Sequence, residues 1–199
     1  IGTILDVTQQ KEAERRVKEA VQHDLLTGLP NRALIFEYAG HLLAAAARNH
    51  SRGALLFIDL DRFKPVNDVY GHDVGDRLLK EVANRIRSCV RHEDLIGRLG
   101  GDEFVVVLPW LGRGYSAPTV AQHVIDALSR PFLIDGLELS ISASIGISFY
   151  PLHGIDPDAL IHCADLAMYR AKEGGRGRWQ VYTQEMSQRV DLSSSIEIC

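Results

Sequence analysis

Apolar residues recur along the chain with two periods, which predicts a mixture of strands and helices. The apolar run ALLFIDLD, Ala54 to Asp61, is typical of a strand that is buried on both faces. The segment DLIGRLGGDEFVVVLP predicts two strands joined by a tight turn, because Gly-Gly followed by acids is a common hairpin signal. Helical spacing of apolar residues predicts helices over about 32–48, 74–90, 118–129 and 156–175.

The first predicted helix has a clear start and an apolar face. Asn31 suits the N-cap position, since its short polar side chain can accept a hydrogen bond from the first turn. The spacing places Leu34, Tyr38, Leu42 and Ala45 on one side of the helix. We therefore expect these four side chains to pack against the rest of the domain.

Strand signals return after the third predicted helix. The segment PFLIDGLELSISASIGISFY predicts a strand, a turn at Asp135-Gly136 and one long strand. Trp179 to Tyr182 predict a short last strand. Strands and helices thus alternate around a central hairpin, which predicts an α/β (α+β) fold in which helices cover the faces of a mixed sheet.

Both ends of the chain read as connections to other segments. IGTILDVT predicts a short strand, and QQKEAERRVKEAVQHD predicts a helix in which Ala13, Val17 and Ala20 recur at roughly heptad spacing. A solvated connector helix and a signalling helix that pairs with a second copy are both open. The sequence predicts a preceding linker over 1–23, one domain over 24–183 and a following linker over 184–199.

Composition and charge narrow the class of protein. The net charge of −4 gives no basic surface, which argues against a nucleic-acid binder but not against a nucleotide. The three cysteines, Cys89, Cys163 and Cys199, lack metal-site spacing, which favours reduced thiols in a cytoplasmic protein. No apolar run approaches the ~20 residues of a membrane span, although a longer parent protein could carry an anchor elsewhere.

Carboxylates cluster at the ends of two predicted strands. Asp59 and Asp61 end the buried strand, and Asp102 and Glu103 lie at the tip of the hairpin. Oxygen ligands of this kind suit Mg²⁺, and two close metal ions can stabilise both sides of a phosphoryl displacement. Taken singly, however, Asp59 is typical of a strand-end cap and Gly-Gly-Asp of an ordinary turn.

Several motifs in one order resemble a known family. GGDEF, at 100–104, is similar to the motif that names the GGDEF domains, the diguanylate cyclases. The family's other motifs are resembled by DLLTGLPNR at 24–32, FIDLDRFKPVNDVYGHDVGD at 57–76, SIGIS at 144–148 and ADLAMYRAKEGGRGR at 164–178. The chain is identified as a member over about 24–182. The resemblance implies a palm-like nucleotidyl-cyclase fold, with a mainly antiparallel sheet of about five strands and the GGDEF motif on a hairpin.

This resemblance implies a homodimer that joins two GTP molecules into cyclic di-GMP and releases pyrophosphate. It also implies Mg²⁺, or alternatively Mn²⁺, as cofactor. Asp59, Asp102 and the Leu60 carbonyl resemble the metal ligands. Glu103 resembles the acid that binds a second metal ion or accepts the proton of the attacking hydroxyl, and both roles are open.

The guanine contacts are implied in the same way. Asn67 and Asp76 resemble the pair that reads the base, since a carboxylate accepts from guanine N1–H and N2–H₂ and an amide matches N3 and N2. His72 lies between them and either lines the same pocket or only orders the loop.

The phosphate contacts involve cations and glycines. Lys64, Lys172 and Arg176 resemble the residues that bind the triphosphate, and Lys64 supports catalysis by stabilising the departing pyrophosphate. Gly100 and Gly101 lack Cβ atoms, so their backbone can approach the phosphates closely.

A second site is implied by RHED, which fits the pattern RxxD, with five residues between Asp94 and Gly100. It resembles the inhibitory site at which the family binds its own product. Arg91 would grip phosphate or stack on guanine, and Asp94 would accept hydrogen bonds from guanine. An isolated RxxD is usually a surface ion pair, and the helix that follows lacks the arginine that serves the family as a second contact.

Two functions follow from these observations. GTILDVTQQKEAE resembles the end of a PAS sensor domain, and VYTQEMSQRVDL resembles a connector into an EAL phosphodiesterase domain. The chain is therefore either an active cyclase or a silent GTP-binding module that controls an attached phosphodiesterase. The intact set of acidic and guanine-reading residues favours the cyclase.

Overall fold

The computed structural model describes residues 22–112 and 114–187. The predicted strand at the start of the chain and the predicted helix up to residue 21 lie outside these residues, as does the tail after 187. No helix in the described part of the chain is both long and apolar enough to cross a membrane. In chain order the elements are α1 (Arg32–Arg48), β1 (Gly53–Asp61), α2 (Phe63–Tyr70), α3 (His72–Cys89), β2 (Leu95–Gly100), β3 (Glu103–Leu108), α4 (Ala117–Leu128), β4 (Phe132–Ile134), β5 (Leu137–Leu139), β6 (Ser142–Tyr150), α5 (Pro157–Glu173) and β7 (Trp179–Val181).

The main sheet has five strands in the order β2-β3-β1-β6-β7, and all neighbours are antiparallel except β6 and β7. All nine residues of the central strand β1 are buried, because helices cover both faces of the sheet. Leu56 and Ile58 pack in the cluster that contains α3 and α4, whereas Leu55 and Phe57 pack in the cluster that contains α1 and α5. The predicted mixed, mainly antiparallel sheet is confirmed.

The predicted apolar face of α1 is confirmed at Leu34, which is buried, but further along the helix the buried face is shifted by about one residue. The helix begins after Asn31, whose side chain accepts a hydrogen bond from Leu34 N as expected. Tyr38, however, is 46% exposed, and the buried residues include Ile35 and Ala39. Close packing on β2 sets this rotation, since a Cβ on Gly97 would lie 2.2 Å from the side chain of Ile35.

The long strand expected after Asp135-Gly136 is two strands. Both turn residues have positive φ, +52° and +81°, which closes a tight two-stranded hairpin of β4 and β5. The chain then leaves this hairpin, and β6 starts at Ser142 as the partner of β1. The sequence pattern stays strand-like throughout, so only the exchange of pairing partner divides it. A smaller difference is that α3 starts at His72, two residues earlier than expected.

Gly146 on β6 allows α5 to lie directly against the sheet. A Cβ at this position would lie 1.8 Å from the carbonyl oxygen of Ala164 and 2.3 Å from the amide nitrogen of Met168. We expect Gly146→Ala to lower the free energy of unfolding by about 3 kcal/mol, because backbone atoms cannot move aside as a flexible side chain can. Urea unfolding measures this change.

Gly40 on α1 is the matched control, since a Cβ there meets nothing within 4 Å. Gly40→Ala should raise stability by about 0.5–1 kcal/mol through its higher helix propensity. Equal stability changes in the two variants would contradict the packing explanation.

Candidate active site

The hairpin of β2 and β3 is held by a chain of polar contacts. Gly100 and Gly101 form its tip with φ of +149° and +50°. Arg98 donates to the Gly101 carbonyl from Nε at 3.0 Å and Nη2 at 2.7 Å. Its Nη1 contacts both carboxylate oxygens of Asp24, at 2.9 and 3.1 Å. The sequence places Asp24 in a motif but carries no signal of this role, which links the start of the domain to the hairpin tip.

The carboxylates predicted from the two strands do come together. Asp59 on β1 is the register partner of Glu103 on β3, and Leu60 N donates to the Asp102 carbonyl at 3.2 Å. Directly opposed residues in an antiparallel pair project from the same face of the sheet. Lys172 from α5 places its Nζ 2.7 Å from Oδ2 of Asp59. The edge of the sheet therefore combines three acids with one cation.

Burial and repulsion between neighbouring carboxylates both raise pKa values in this cluster. Burial raises the pKa of Asp59, with repulsion from Asp102 adding to it, and the ion pair with Lys172 opposes the rise only in part. Burial also raises the pKa of Glu103, together with repulsion from Asp59 and Asp165. Asp165, on α5, was not predicted from the sequence. A cation bound among these carboxylates would relieve the repulsion.

The donor set suits a hard divalent cation, although it is not already assembled around one. Among residues 22–112 and 114–187, no three His, Cys, Asp or Glu side chains are grouped closely enough to hold a metal ion. The available donors are the carboxylates of Asp59, Asp102 and Glu103 and the carbonyl of Leu60, and Mg²⁺ prefers such oxygen ligands. These residues thus fit the predicted ion in chemistry.

Asp61 has a structural role, although the sequence places it beside Asp59. Its carboxylate is 3% exposed and accepts hydrogen bonds from Ser142 Oγ and Ser144 Oγ, both at 2.7 Å. It also accepts from the Gly177 backbone N–H at 3.0 Å. Arg176 lies in the same turn, with its Nε 3.9 Å from Asp61. Asp61 therefore fixes the turn after α5, and this turn carries Arg176, which is predicted to bind the triphosphate.

The predicted guanine-reading residues lie on α2 and α3. Oδ1 of Asn67 is a buried side-chain oxygen without a hydrogen-bond partner among the described residues. Gly75 lies against it, since a Cβ there would be 1.8 Å from that oxygen, and sequence reasoning had not singled out this glycine. Asp76 and His72 are exposed at the start of α3. The orphaned oxygen is an acceptor that a ligand amine can satisfy.

Lys64, the remaining predicted cation, is exposed on α2. It follows Asp59 closely in sequence, on the helix that begins immediately after β1. Its side chain is exposed, so its ammonium is accessible to a ligand.

The predicted RxxD pair lies between α3 and β2. The Arg91 backbone N–H donates to Oδ2 of Asp94 at 2.8 Å, which orders the turn. The Arg91 side chain is half exposed and lies 3.9 Å from Glu93. Tyr115, which sequence reasoning missed, contacts both members of the pair.

The raised pKa of Glu103 predicts a pH-dependent stability difference. A carboxyl whose pKa is raised by folding destabilises the folded state above that pKa and has no effect below its ordinary value of 4.5. In metal-free protein, Glu103→Gln should therefore be more stable than the parent at pH 7. The difference should disappear as the pH falls below about 4.

Urea unfolding between pH 4 and pH 8 with a chelator measures this difference. Glu138→Gln, which changes an exposed acid on β5, is the matched control. A constant advantage of Glu103→Gln at every pH would contradict an electrostatic origin.

Comparisons with known proteins show which family the chain is similar to. The family model described as "Diguanylate cyclase, GGDEF domain" matches residues 21–178. The cyclic di-GMP phosphodiesterase PdeR of Escherichia coli is 41% identical over 185 residues, which is 93% of this chain but 28% of the relative. The chain thus spans less than a third of that protein.

Solved structures are similar over most of this chain. The GGDEF domain of TpbB from Pseudomonas aeruginosa matches with a TM-score of 0.82 and 42% identity, over 85% of this chain and 99% of that one. The coiled coil and GGDEF domain of DgcB from Caulobacter crescentus, in complex with c-di-GMP, matches with a TM-score of 0.80 and 25% identity. That match covers 90% of this chain and 95% of the other.

Proposed function

Because the chain belongs to the GGDEF-domain family of diguanylate cyclases, we propose that it joins two molecules of GTP into cyclic di-GMP and releases pyrophosphate. The observation that carries this proposal is the convergence of Asp59 and Glu103 on neighbouring strands, with Asp102 beside them. Without these acids the proposed reaction could not be catalysed. All three are present, at one end of the sheet.

Each predicted side chain has a task in this reaction. Asp59, Asp102, Glu103 and the Leu60 carbonyl would hold a divalent metal ion. Such an ion would lower the pKa of the ribose 3′-hydroxyl. Glu103 would either help to hold a second metal ion or accept the proton of that hydroxyl as a general base. The tip glycines leave room for the phosphates.

Substrate binding uses residues on either side of the carboxylates. Oδ1 of Asn67 accepts a hydrogen bond from the guanine amino group, and Asp76 accepts from N1–H, with His72 beside them. Adenine lacks both donors, so ATP would leave these acceptors unpaired. Three cations hold the triphosphate and the leaving pyrophosphate, namely Lys64, Lys172 and Arg176.

The reaction needs two protomers. Each protomer holds one GTP, so the 3′-hydroxyl of one nucleotide reaches the α-phosphate of the other only when two such sites face each other. The product would also bind at Arg91 and Asp94 and inhibit its own synthesis. We place the catalytic domain at 24–183, between the end of a PAS sensor domain and its linker helix over 1–23 and a connector toward an EAL domain over 184–199.

A silent GTP-binding module is the second candidate function. It is favoured by the ion pair of Lys172 with Asp59, which occupies a predicted metal ligand, and by the similarity to PdeR, whose name describes a phosphodiesterase. In this case GTP would regulate an attached phosphodiesterase without turnover.

Incubation of the purified chain with GTP and Mg²⁺ at several protein concentrations tests the two candidates. A cyclase should give cyclic di-GMP at a rate per protomer that rises with protein concentration, and should give no product from ATP. Binding of GTP without product at any concentration would overturn the cyclase and support the regulatory module.

A further inference from the structure

Tyr115, in the loop before α4, packs directly on the RxxD pair. Its aromatic ring lies under the Arg91 guanidinium, with Cζ 3.6 Å from the ring centroid. Its hydroxyl donates a hydrogen bond to Oδ2 of Asp94, the same oxygen that accepts from the Arg91 backbone. A flat ring stacked on the arginine and a donor aimed at the aspartate are the two contacts that a guanine base would make with this pair.

These contacts are strong enough to compete with a ligand. The hydrogen bond to Asp94 is made to a half-buried carboxylate, and charge-assisted bonds of this kind are roughly twice as strong as neutral ones. Burial raises the pKa of Tyr115, as does the hydrogen bond to Asp94, so the phenol stays protonated and able to donate. The stack on Arg91 adds a cation–π interaction.

The backbone around Tyr115 holds the ring in this place. Gly112 and Tyr115 exchange backbone hydrogen bonds of 3.0 and 3.3 Å, which closes the loop into a tight turn. The next residue, Ser116, caps α4 by accepting from Thr119 N. The backbone at Tyr115 is thus fixed on both sides along the chain, so the ring can leave Arg91 only by a change of side-chain rotamer.

Space for the ring to move lies next to it. Tyr115 forms part of the wall of a cavity of about 690 Å³, which is also lined by Leu111, Pro118, Phe149 and Leu152. These side chains are mainly apolar, so the cavity can receive an aromatic ring that leaves the RxxD pair.

We propose that Tyr115 is an internal competitor that occupies the guanine position of the RxxD site. Cyclic di-GMP must displace the ring before it can stack on Arg91 and bond to Asp94. The apparent dissociation constant of cyclic di-GMP is therefore the intrinsic value divided by a small fraction. That fraction is the share of molecules in which the Tyr115 ring has left Arg91 and Asp94. Product inhibition accordingly begins at a higher product concentration than the pair alone would give. This inference rests on the proposed product-binding role of the RxxD pair.

Binding of cyclic di-GMP to the whole chain, measured by calorimetry without GTP, tests the competition. Tyr115→Phe keeps the ring and loses the hydroxyl, so it should bind about tenfold more tightly than the parent. Tyr115→Ala also loses the stack and should bind tighter still. Tyr38→Phe, at an exposed tyrosine of α1, is the matched control and should change nothing.

Arg91→Ala, alone and combined with Tyr115→Ala, separates the possible outcomes. Loss of the tight binding in the double variant supports the proposal. Equal affinity of the parent and both Tyr115 variants, with loss of binding in Arg91→Ala, would overturn the competition and leave the RxxD site standing. Weaker binding by Tyr115→Ala would make the ring part of the ligand site and would also overturn it.

The proposed activity is read separately from the competition. Initial rates of cyclic di-GMP synthesis at negligible product should be equal in the parent and the Tyr115 variants. If neither the parent nor any Tyr115 variant binds cyclic di-GMP, the RxxD site and the competition both fail. A cyclase rate measured in the same preparation then shows whether the catalytic proposal survives.

Discussion

Asp59→Asn should lower the rate of cyclic di-GMP synthesis by about a thousandfold, because it removes a charge from the proposed metal and phosphate site. The fold should tolerate this change. Asp59 lies among other acids, and its pKa is raised by burial, so its charge is not a source of stability. Product formation from GTP and Mg²⁺, together with urea unfolding of the same samples, measures both effects.

Asp61→Ala is the matched comparison, two residues along the same strand. It should lower the free energy of unfolding by about 3 kcal/mol, because it leaves the buried Ser144 hydroxyl and the Gly177 N–H without their acceptor. Asp59→Asn should therefore lose activity and keep its stability, whereas Asp61→Ala should lose stability. A stable Asp59→Asn variant with full activity would exclude Asp59 from the site.

Gly101→Asn should abolish most of the activity while the protein stays folded. A Cβ at Gly101 meets nothing of the protein within 4 Å, so the only obstruction it creates is toward a ligand at the hairpin tip. Asn is the residue other than glycine that best tolerates the positive φ of +50° found here, so its stability cost should stay within about 1 kcal/mol. Gly101→Val should lose activity as well, with a larger stability cost of about 2–3 kcal/mol from backbone strain.

Comparison of Gly101→Asn with Gly101→Val distinguishes two reasons for a glycine here. One is close approach of the phosphates to the backbone, and the other is the backbone conformation of the turn. Gly136→Asn, at another positive-φ glycine in the β4–β5 turn, is the control and should keep full activity. If Gly101→Asn turns over GTP normally while Gly101→Val does not, the glycine is needed for the shape of the turn rather than for approach of the phosphates.

The sequence predicted the strands well where each was a single run bounded by turns. The central hairpin, the buried β1 and the short last strand all appear as expected, since local pattern and tertiary pairing agree there. The pattern of apolar residues gave a wrong prediction where one long strand and two shorter strands would produce the same sequence signal. An apolar segment after Asp135 reads as one strand, and only the change of partner from β4 to β1 divides it.

The candidate site shows the same division. Motif positions pointed to Asp59, Asp102 and Glu103, and the register of β1 with β3 brings them together. Arg98, by contrast, is an ordinary strand residue in the sequence, and its hold on Gly101 depends on Asp24, 74 residues away. Contacts across such distances carry no periodic signal.

By itself, the sequence determined the family, the hairpin and the chemistry of the proposed site, because periodicity, turn residues and motif order are local properties of the chain. Only the tertiary structure decided which of two neighbouring acids is structural. Asp61 is surrounded by donors from β6 and the turn after α5, while Asp59 faces Lys172. It also decided that Tyr115 lies on Arg91 and Asp94. The physical reason is that hydrogen bonding and charge depend on which groups meet in space, and packing fixes that only when the whole domain folds.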